Sequence, residues 1–269
     1  SFLDVVRGGA MDAPYVQLKG AAMLADEYQP PAFALSGAAK DAALIEAFPA
    51  YRDWLCHPER DGYWRRTAVN DRYDRIGVPA LHIAGWHDLF LGGTLANYRG
   101  LRDRAATPRA RAAQRLVVGP WAHSTPSEHV GDAAYGPTAG QFALDMTGVH
   151  LDWFSAVLDG READIAPVRL FVMGANRWRD EDDWPLDRAR QQTWYLRGDG
   201  YANGLDGDGR LSPEPPPVDE SPDRYLFDPR NPVPTLGGPT FLPGHSVGRH
   251  AGPRDQRPVE RRHDVLVYT

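Results

Sequence analysis

The segment VPALHIAGWHD at residues 78–88 decides the fold of this 269-residue chain. Its apolar run over 78–85 is short and ends in glycine, which is typical of a strand buried on both faces of a sheet. A second run of this kind, RLVVG at 115–119, comes after a stretch with helical spacing of apolar residues at 91–105. Another helical pattern covers 140–158. This alternation of strands and helices predicts an α/β domain with parallel strands.

A polar motif follows each of the two predicted strands at once. Asp88 ends the motif GWHD at 85–88, and His123 ends the motif GPWAH at 119–123. Because parallel strands end at the same edge of a sheet, we expect Asp88 and His123 to lie close together. Aspartate before histidine is also the order of these two triad members in α/β-hydrolases, so the pair predicts a catalytic site. Two alternatives stay open: Asp88 as a helix N-cap, and His123 as an ordinary loop histidine.

The serine that such a triad requires is not evident before Asp88. An α/β-hydrolase carries this serine on a sharp turn between a strand and a helix. Only Ser1 and Ser36 precede Asp88, and no strand pattern comes before Ser36. One G-x-S-x-G motif occurs, GHSVG at 244–248, but it follows the histidine and comes directly after Pro243. We interpret it as a chance match in a glycine-rich loop.

The chain divides into three predicted parts. Residues 1–72 carry helical patterns at 15–28 and 38–56, which predict a helical segment. Residues 73–162 hold the α/β alternation. Residues 163–269 have short apolar runs between Pro, Gly and Asp, which predicts an all-β domain. The strands expected in this last part lie at 167–173, 192–196, 224–227 and 264–269.

Charge and composition exclude several classes of function. The chain has 30 Lys and Arg residues against 36 Asp and Glu, a formal net charge of −6. This balance argues against binding to nucleic acids or to anionic membranes. The Arg-rich stretch at 99–115 is interleaved with Ala and Pro, which indicates a solvated face. Cys56 is the only cysteine, so no internal disulfide can form.

The sequence contains no recognised metal or nucleotide motif, and we expect no cofactor. A metal site of His82, His87 and Asp88 is disfavoured, because strand alternation places the two histidines on opposite faces. The N-terminus lacks Met and the basic and apolar regions of a signal peptide. We therefore expect a cytoplasmic protein whose chain starts after processing or inside a longer reading frame.

Aromatic residues surround the expected Asp–His pair. Trp86, Phe90 and Trp121 could line a pocket for the acyl group of a substrate. The alternative is that they belong to the core at the edge of the sheet. A second aromatic group, in the helical segment, offers further substrate contacts: Tyr51, Trp54, Tyr63 and Trp64.

Five segments of the chain together resemble one known family. They are HPERDGYWRR at 57–66, VPALHIAGWHDLFLGGTLANYRGL at 78–101, RLVVGPWAH at 115–123, DPRNPVPTLGG at 228–238 and GPRDQRPVERRHDVLVYT at 252–269. The family is that of the CocE/NonD acyl esterases, which includes X-Pro dipeptidyl-peptidases and α-amino-acid ester hydrolases. The resemblance implies an α/β-hydrolase fold with a helical cap, present in part, followed by an incomplete jelly-roll-like domain.

The same resemblance implies roles for the two candidate residues. Asp88 and His123 match the Asp and His motifs of the family and would be two members of its triad. The family carries its serine in a G-x-S-Y-x-G elbow before the cap, and no such elbow occurs in this sequence. We therefore expect the nucleophile to lie outside these 269 residues.

Three functions stay open at this point. The first is a serine hydrolase that cleaves small-molecule esters or amides through an acyl-enzyme. The second is a non-catalytic chain that binds or assembles through its β domain. The third is one component of a split enzyme, which would be completed by an N-terminal half on another chain. A second copy of the chain is a further expected partner.

Overall fold

The computed structural model describes residues 49–123, 127–239 and 251–269. Several expectations lie outside the described residues: the helix at 15–28, most of the helix at 38–56, Ser36 and the GHSVG motif at 244–248. The chain divides into two compact units. One unit comprises Ser1–Ala68 and Leu226–Val233, and the other comprises Val69–Tyr225 and Pro234–Thr269.

The described part of the first unit contains two short helices. Helix α1 (Ala50–Cys56) begins after Pro49, whose fixed φ and missing N–H suit the first turn of a helix. Helix α2 (Gly62–Arg65) begins after Asp61, whose carboxylate accepts the backbone N–H of Tyr63. This aspartate satisfies one of the N–H groups that every helix start leaves unpaired.

The second unit contains the strands. Two 3-10 turns come first, at Val69–Asp71 and Tyr73–Arg75. The elements that follow are β1 (Leu81–His87), α3 (Leu91–Arg104), α4 (Pro108–Ala112), β2 (Arg115–Ala122), β3 (His129–Val130), β4 (Ala133–Ala134), α5 (Met146–Leu158), β5 (Val168–Val172), β6 (Arg177–Glu181), β7 (Tyr195–Arg197), β8 (Arg210–Ser212) and α6 (Arg257–Glu260). None of the helices in the described residues combines the length and hydropathy that a membrane span requires.

Four strands of the second unit form one mixed sheet, in the order β1-β2-β5-β6. β1, β2 and β5 are parallel, and β6 runs antiparallel to β5. Helices α3 and α4 connect β1 to β2, and α5 lies in the connection from β2 to β5. The α/β pattern of parallel strands with intervening helices, predicted from the apolar runs, is confirmed.

Both faces of this sheet are covered, as the continuous apolar runs predict. All eight residues of β2 are buried. On one face Leu116 and Val118 pack with Tyr98 of α3, and on the other Val117 packs with Met146 of α5. Burying one such aliphatic side chain contributes about 1.5–3 kcal/mol. Burial on both faces therefore holds β2, the strand that ends just before His123, firmly in the sheet.

The sheet continues past residue 163, where the predicted β domain begins. The strand expected at 167–173 is present as β5, but its partner is β2, so it belongs to the α/β sheet. An apolar run predicts that a strand forms, but it does not predict which strand will pair with it. The domain boundaries at 72 and 162 stay a prediction.

Beyond residue 190 the described residues contain little regular strand. β7 and β8 form a two-stranded antiparallel ladder. The strands expected at 224–227 and 264–269 are wrong. The C-terminal segment does bond to residues 202–211, but irregularly, with one isolated bridge between Leu266 and Asn203. The jelly-roll-like character of this region stays a prediction.

Candidate active site

Asp88 and His123 follow directly on two neighbouring parallel strands. β1 ends at His87 and β2 ends at Ala122, and these two residues are partners in the ladder. Gly85 is paired with Gly119 earlier in the same ladder. Two steps along β1 therefore correspond to three steps along β2, which is a bulge of one residue on β2. Continued past the strands, this shifted register sets Asp88 opposite His123.

Two glycines make room for the bulge. A Cβ atom on Gly85 would lie 2.1 Å from the carbonyl oxygen of Trp121, far inside van der Waals contact. A Cβ atom on Gly119 would lie 2.4 Å from the indole ring of the same tryptophan. Glycine is therefore required at both positions for a steric reason. Trp121, at the bulge, occupies the space that a side chain on Gly85 or Gly119 would fill.

The side chains of Asp88 and His123 form a pair. Nδ1 of His123 lies 3.2 Å from Oδ2 of Asp88. The other carboxylate oxygen, Oδ1, accepts the backbone N–H of Phe90 at 2.8 Å. Both side chains are partly buried, with 17% of Asp88 and 30% of His123 exposed. A backbone contact on one oxygen and an imidazole on the other fix the orientation of the carboxylate.

The position at which α3 begins shows that Asp88 is not its N-cap residue. Phe90 occupies the N-cap position, without a side-chain cap, and the helix begins at Leu91. Asp88 lies two residues before the cap and forms a local turn through the N–H of Phe90. Its carboxylate therefore both shapes the turn and contacts His123.

This arrangement can move a proton. A carboxylate on Nδ1 holds the imidazole in the tautomer whose Nε2 accepts protons, and it stabilises the imidazolium that then forms. The remaining requirement is a hydroxyl within hydrogen-bond reach of Nε2. Among the described residues, no group of three or more His, Cys, Asp or Glu side chains is arranged to hold a metal ion.

The three aromatic residues predicted near the pair lie in different environments. The ring of Phe90 is 52% exposed and meets His123 edge-on, with centroids 5.2 Å apart. Trp86 is partly buried, and its Nε1 donates to the carbonyl of Phe171 at 2.7 Å. Trp121 is only 2% exposed and packs in the core. The substrate-binding role of all three stays a prediction, with Phe90 best placed for it.

Sequence reasoning missed the partner of His87. Nε2 of His87 lies 2.9 Å from the hydroxyl of Tyr135, which follows the β3–β4 hairpin. Burial lowers the pKa of His87 and raises that of Tyr135. His82 has a separate partner, Oε1 of Gln114 at 2.9 Å, and burial lowers its pKa as well. No local signal in the sequence links residues 48 positions apart, such as His87 and Tyr135.

Parallel strands flanked by helices, with Asp and His after two neighbouring strand ends, are the arrangement that α/β-hydrolases use for two triad members. The profile of the X-Pro dipeptidyl-peptidase (S15 family) matches residues 8–125. The profile of the X-Pro dipeptidyl-peptidase C-terminal non-catalytic domain matches residues 162–269. Over these two ranges the chain is similar to X-Pro dipeptidyl-peptidases.

Individual relatives agree with this similarity. The chain is 39% identical over 216 residues to the cocaine esterase of Rhodococcus sp. (strain MB1 Bresler), a match over 79% of this chain and 36% of that protein. An aminopeptidase from a marine sediment archaeon (Thaumarchaeota archaeon) superposes with a TM-score of 0.68 at 25% identity, over 86% of this chain and 37% of that one. An α-amino acid ester hydrolase gives a TM-score of 0.65 at 26% identity, over 90% and 38%. The chain thus spans little more than a third of the length of these relatives.

Proposed function

We propose that this chain carries the acid–base pair of a serine hydrolase that cleaves ester or amide bonds through an acyl-enzyme. The observation that carries the proposal is the 3.2 Å contact between Nδ1 of His123 and Oδ2 of Asp88 at neighbouring strand ends. A serine attacks the carbonyl carbon of the substrate, and His123 takes the hydroxyl proton and then gives it to the leaving group. Asp88 orients His123 and stabilises its charged form.

The names of the relatives support the substrate class. A cocaine esterase, an α-amino acid ester hydrolase, an aminopeptidase and an X-Pro dipeptidyl-peptidase family all act on acyl bonds. We therefore propose a small-molecule ester or amide as the substrate. The half-exposed ring of Phe90, edge-on to His123, is the side chain we assign to contact with the acyl group.

The nucleophile belongs, in this proposal, to sequence outside the 269 residues. No strand–serine–helix pattern precedes Asp88 in the sequence. We further propose that β1, β2 and β5 are part of an α/β-hydrolase sheet, and that residues beyond about 190 belong to a jelly-roll-like domain. The serine then comes either from the same longer polypeptide or from a complementing second chain.

A fluorophosphonate probe tests the proposal, because it reacts with serines that a neighbouring base activates. One arm uses the purified 269-residue chain and reads the adduct by intact-mass spectrometry. The other arm labels a total extract of the source organism and maps the peptides of every labelled species. A parallel extract is heated before labelling, so that reaction with unfolded proteins can be subtracted.

The proposal expects no adduct on the isolated chain. In the extract it expects peptides of this chain in a labelled longer polypeptide or in a labelled complex. An adduct on the isolated chain would show that its own serine is activated and that the nucleophile does not lie outside. Peptides of this chain found only in unlabelled species would contradict the hydrolase assignment and favour the non-catalytic alternative.

A further inference from the structure

A cleft of about 250 Å³ lies at the amino end of β2. Arg115, the first residue of this strand, is one of its lining residues. His123 follows the opposite end of the same strand. Most of the wall is apolar and comes from Pro79, Ala112, Ala113, Trp153, Val157 and Ala163. All of the lining residues belong to the second unit.

Arg115 carries a buried charge in this cleft. The residue is only 9% exposed. Its Nε donates to the carbonyl of Ile165 at 2.9 Å, and its Nη1 donates to the carbonyls of Ala112 and Gln114 at 3.2 and 2.9 Å. These acceptors are neutral. In the part of the chain that the structure describes, no carboxylate pairs with Arg115, and Nη2 has no hydrogen-bond partner. A buried guanidinium without a counter-charge favours the binding of an anion.

Two more arginines, Arg109 and Arg161, line the same cleft. Arg109 donates from Nη2 to the carbonyl of Val157, at the C-terminal turn of α5, at 2.8 Å. Arg161 has its Nε 3.6 Å from Oδ2 of Asp159, longer than a hydrogen bond. Glu162 contributes the single carboxylate among the lining residues. With Asp159, which lies within ion-pair distance of Arg161, the three positive groups face two negative groups. The remaining net charge of one positive unit suits an anion of low charge.

We propose that this cleft binds a small organic carboxylate that has an apolar body. The carboxylate head accepts from the arginines, since guanidinium and carboxylate match in planar, two-point hydrogen bonding. The body packs on the apolar wall, where Trp153 offers the largest surface. One water takes about 30 Å³ of liquid volume, so the cleft of about 250 Å³ has the volume of roughly eight waters. That is enough space for an anion the size of benzoate. Inorganic phosphate has no apolar part, so the wall favours the carboxylate. The proposal does not rest on the hydrolase assignment.

The test uses the 269-residue chain and benzoate as the probe. Isothermal titration gives the affinities of benzoate, of benzyl alcohol as a neutral analogue, and of inorganic phosphate as an anion without an apolar body. The variant is the double substitution Arg109→Gln and Arg161→Gln, at two exposed positions. The matched control is Arg99→Gln, an exposed arginine of α3 that does not line the cleft. Circular dichroism and the urea midpoint check that each variant folds.

We expect saturable benzoate binding to the wild type, at least about tenfold tighter than either benzyl alcohol or phosphate. Benzyl alcohol loses the charge-assisted contacts with the arginines, and phosphate loses the packing on the apolar wall. The double variant binds benzoate at least about tenfold more weakly, and Arg99→Gln binds it like the wild type. In the wild-type chain, benzoate also shifts the side-chain ¹⁵Nε resonance of Arg115, a readout that needs no variant.

Three results would overturn the proposal. One is the absence of benzoate binding, or of any change at the Arg115 Nε resonance, in the wild-type chain. A second is equal benzoate affinity in the wild type and in the double variant. The third is that phosphate or benzyl alcohol binds as tightly as benzoate. The cleft would then not recognise a carboxylate group joined to an apolar body.

Discussion

The carbonyl oxygen of Trp121 occupies the space in which a side chain on Gly85 would begin, 2.1 Å from an ideal Cβ position. This close approach occurs at the bulge of β2, between the Gly85–Gly119 pair and the His87–Ala122 pair. Without the extra residue, Asp88 would be in register with Ala122. With it, Asp88 is opposite His123, and the two side chains meet. The geometry of the pair therefore depends on a glycine that is not itself part of the chemistry.

The first prediction concerns Gly85→Ala. The new methyl group would overlap the Trp121 carbonyl, and backbone atoms cannot move aside as a flexible side chain can. We expect the variant to lose at least about 2 kcal/mol of unfolding free energy, as overpacking in a close-packed strand does. Urea denaturation of the chain, followed by circular dichroism, measures this loss.

Gly92→Ala is the matched control for that experiment. Gly92 lies in the first turn of α3, and an added Cβ there has nothing within 4 Å. Alanine is the better helix former, so this variant should be unchanged or more stable by up to about 1 kcal/mol. A Gly85→Ala chain as stable as the Gly92→Ala chain would show that the bulge tolerates a side chain.

The second prediction concerns pH. Burial lowers the pKa of both His82 and His87 in the folded chain, whereas in the unfolded chain both titrate near the ordinary value of about 6.5. Below that pH the unfolded state binds more protons than the folded state. The stability is therefore full above about pH 6.5 and falls as the pH is lowered, by up to about 1.4 kcal/mol per pH unit for each histidine.

Urea midpoints at pH 7.5, 6.5 and 5.5 measure this dependence on either side of the ordinary histidine value of about 6.5. Replacing both residues, His82→Gln with His87→Gln, should flatten the decline in stability. His129→Gln serves as the control, because the side chain of His129 is 68% exposed. A decline of the same steepness in the double variant and in the wild type would rule out the two buried imidazoles as its source.

The third prediction concerns Tyr135→Phe. The substitution removes the hydroxyl that lies 2.9 Å from Nε2 of His87, and it leaves the buried ring in place. A partly buried imidazole nitrogen then lacks its partner, at a cost of about 1–3 kcal/mol in unfolding free energy. Tyr201→Phe is the control, since Tyr201 is 76% exposed, and it should change the stability by less than about 0.5 kcal/mol. Equal effects of the two substitutions would mean that the His87 contact does not stabilise the fold.

The strands that position the candidate pair can be predicted from the sequence, because each strand has a local signal in its own residues. The buried runs at 78–85 and 115–119 are apolar over their whole length, as strands covered on both faces must be. β1 begins three residues and ends two residues later than its run, whereas β2 begins where its run begins and ends three residues later. The closeness of Asp88 and His123 follows in turn from parallel strands that share an edge.

What the patterns miss depends on long-range contacts. The bulge that sets the register comes from the fit between Gly85 and Trp121, which no spacing rule contains. The apolar run at 167–173 predicts a strand of a separate β domain, whereas β5 pairs with β2, because an apolar run does not reveal its neighbouring strand. Arg115 belongs to two overlapping patterns, the arginine-rich stretch that indicates a solvated face and the apolar run at 115–119 that predicts a buried strand. The structure buries it, as the apolar run predicts.

The most direct test of the account is the tautomer of His123. The measurement is the ¹⁵N spectrum of the imidazole at alkaline pH, in the wild-type chain and in Asp88→Asn. The account predicts that in the wild type the proton sits on Nδ1 and is shared with Asp88, which leaves Nε2 as the proton acceptor. In Asp88→Asn the Nδ1 proton loses its carboxylate acceptor, and the tautomer should shift toward Nε2–H. A wild-type His123 that carries its proton on Nε2, or a tautomer unchanged by Asp88→Asn, would contradict the claim that the two residues act as an acid–base pair.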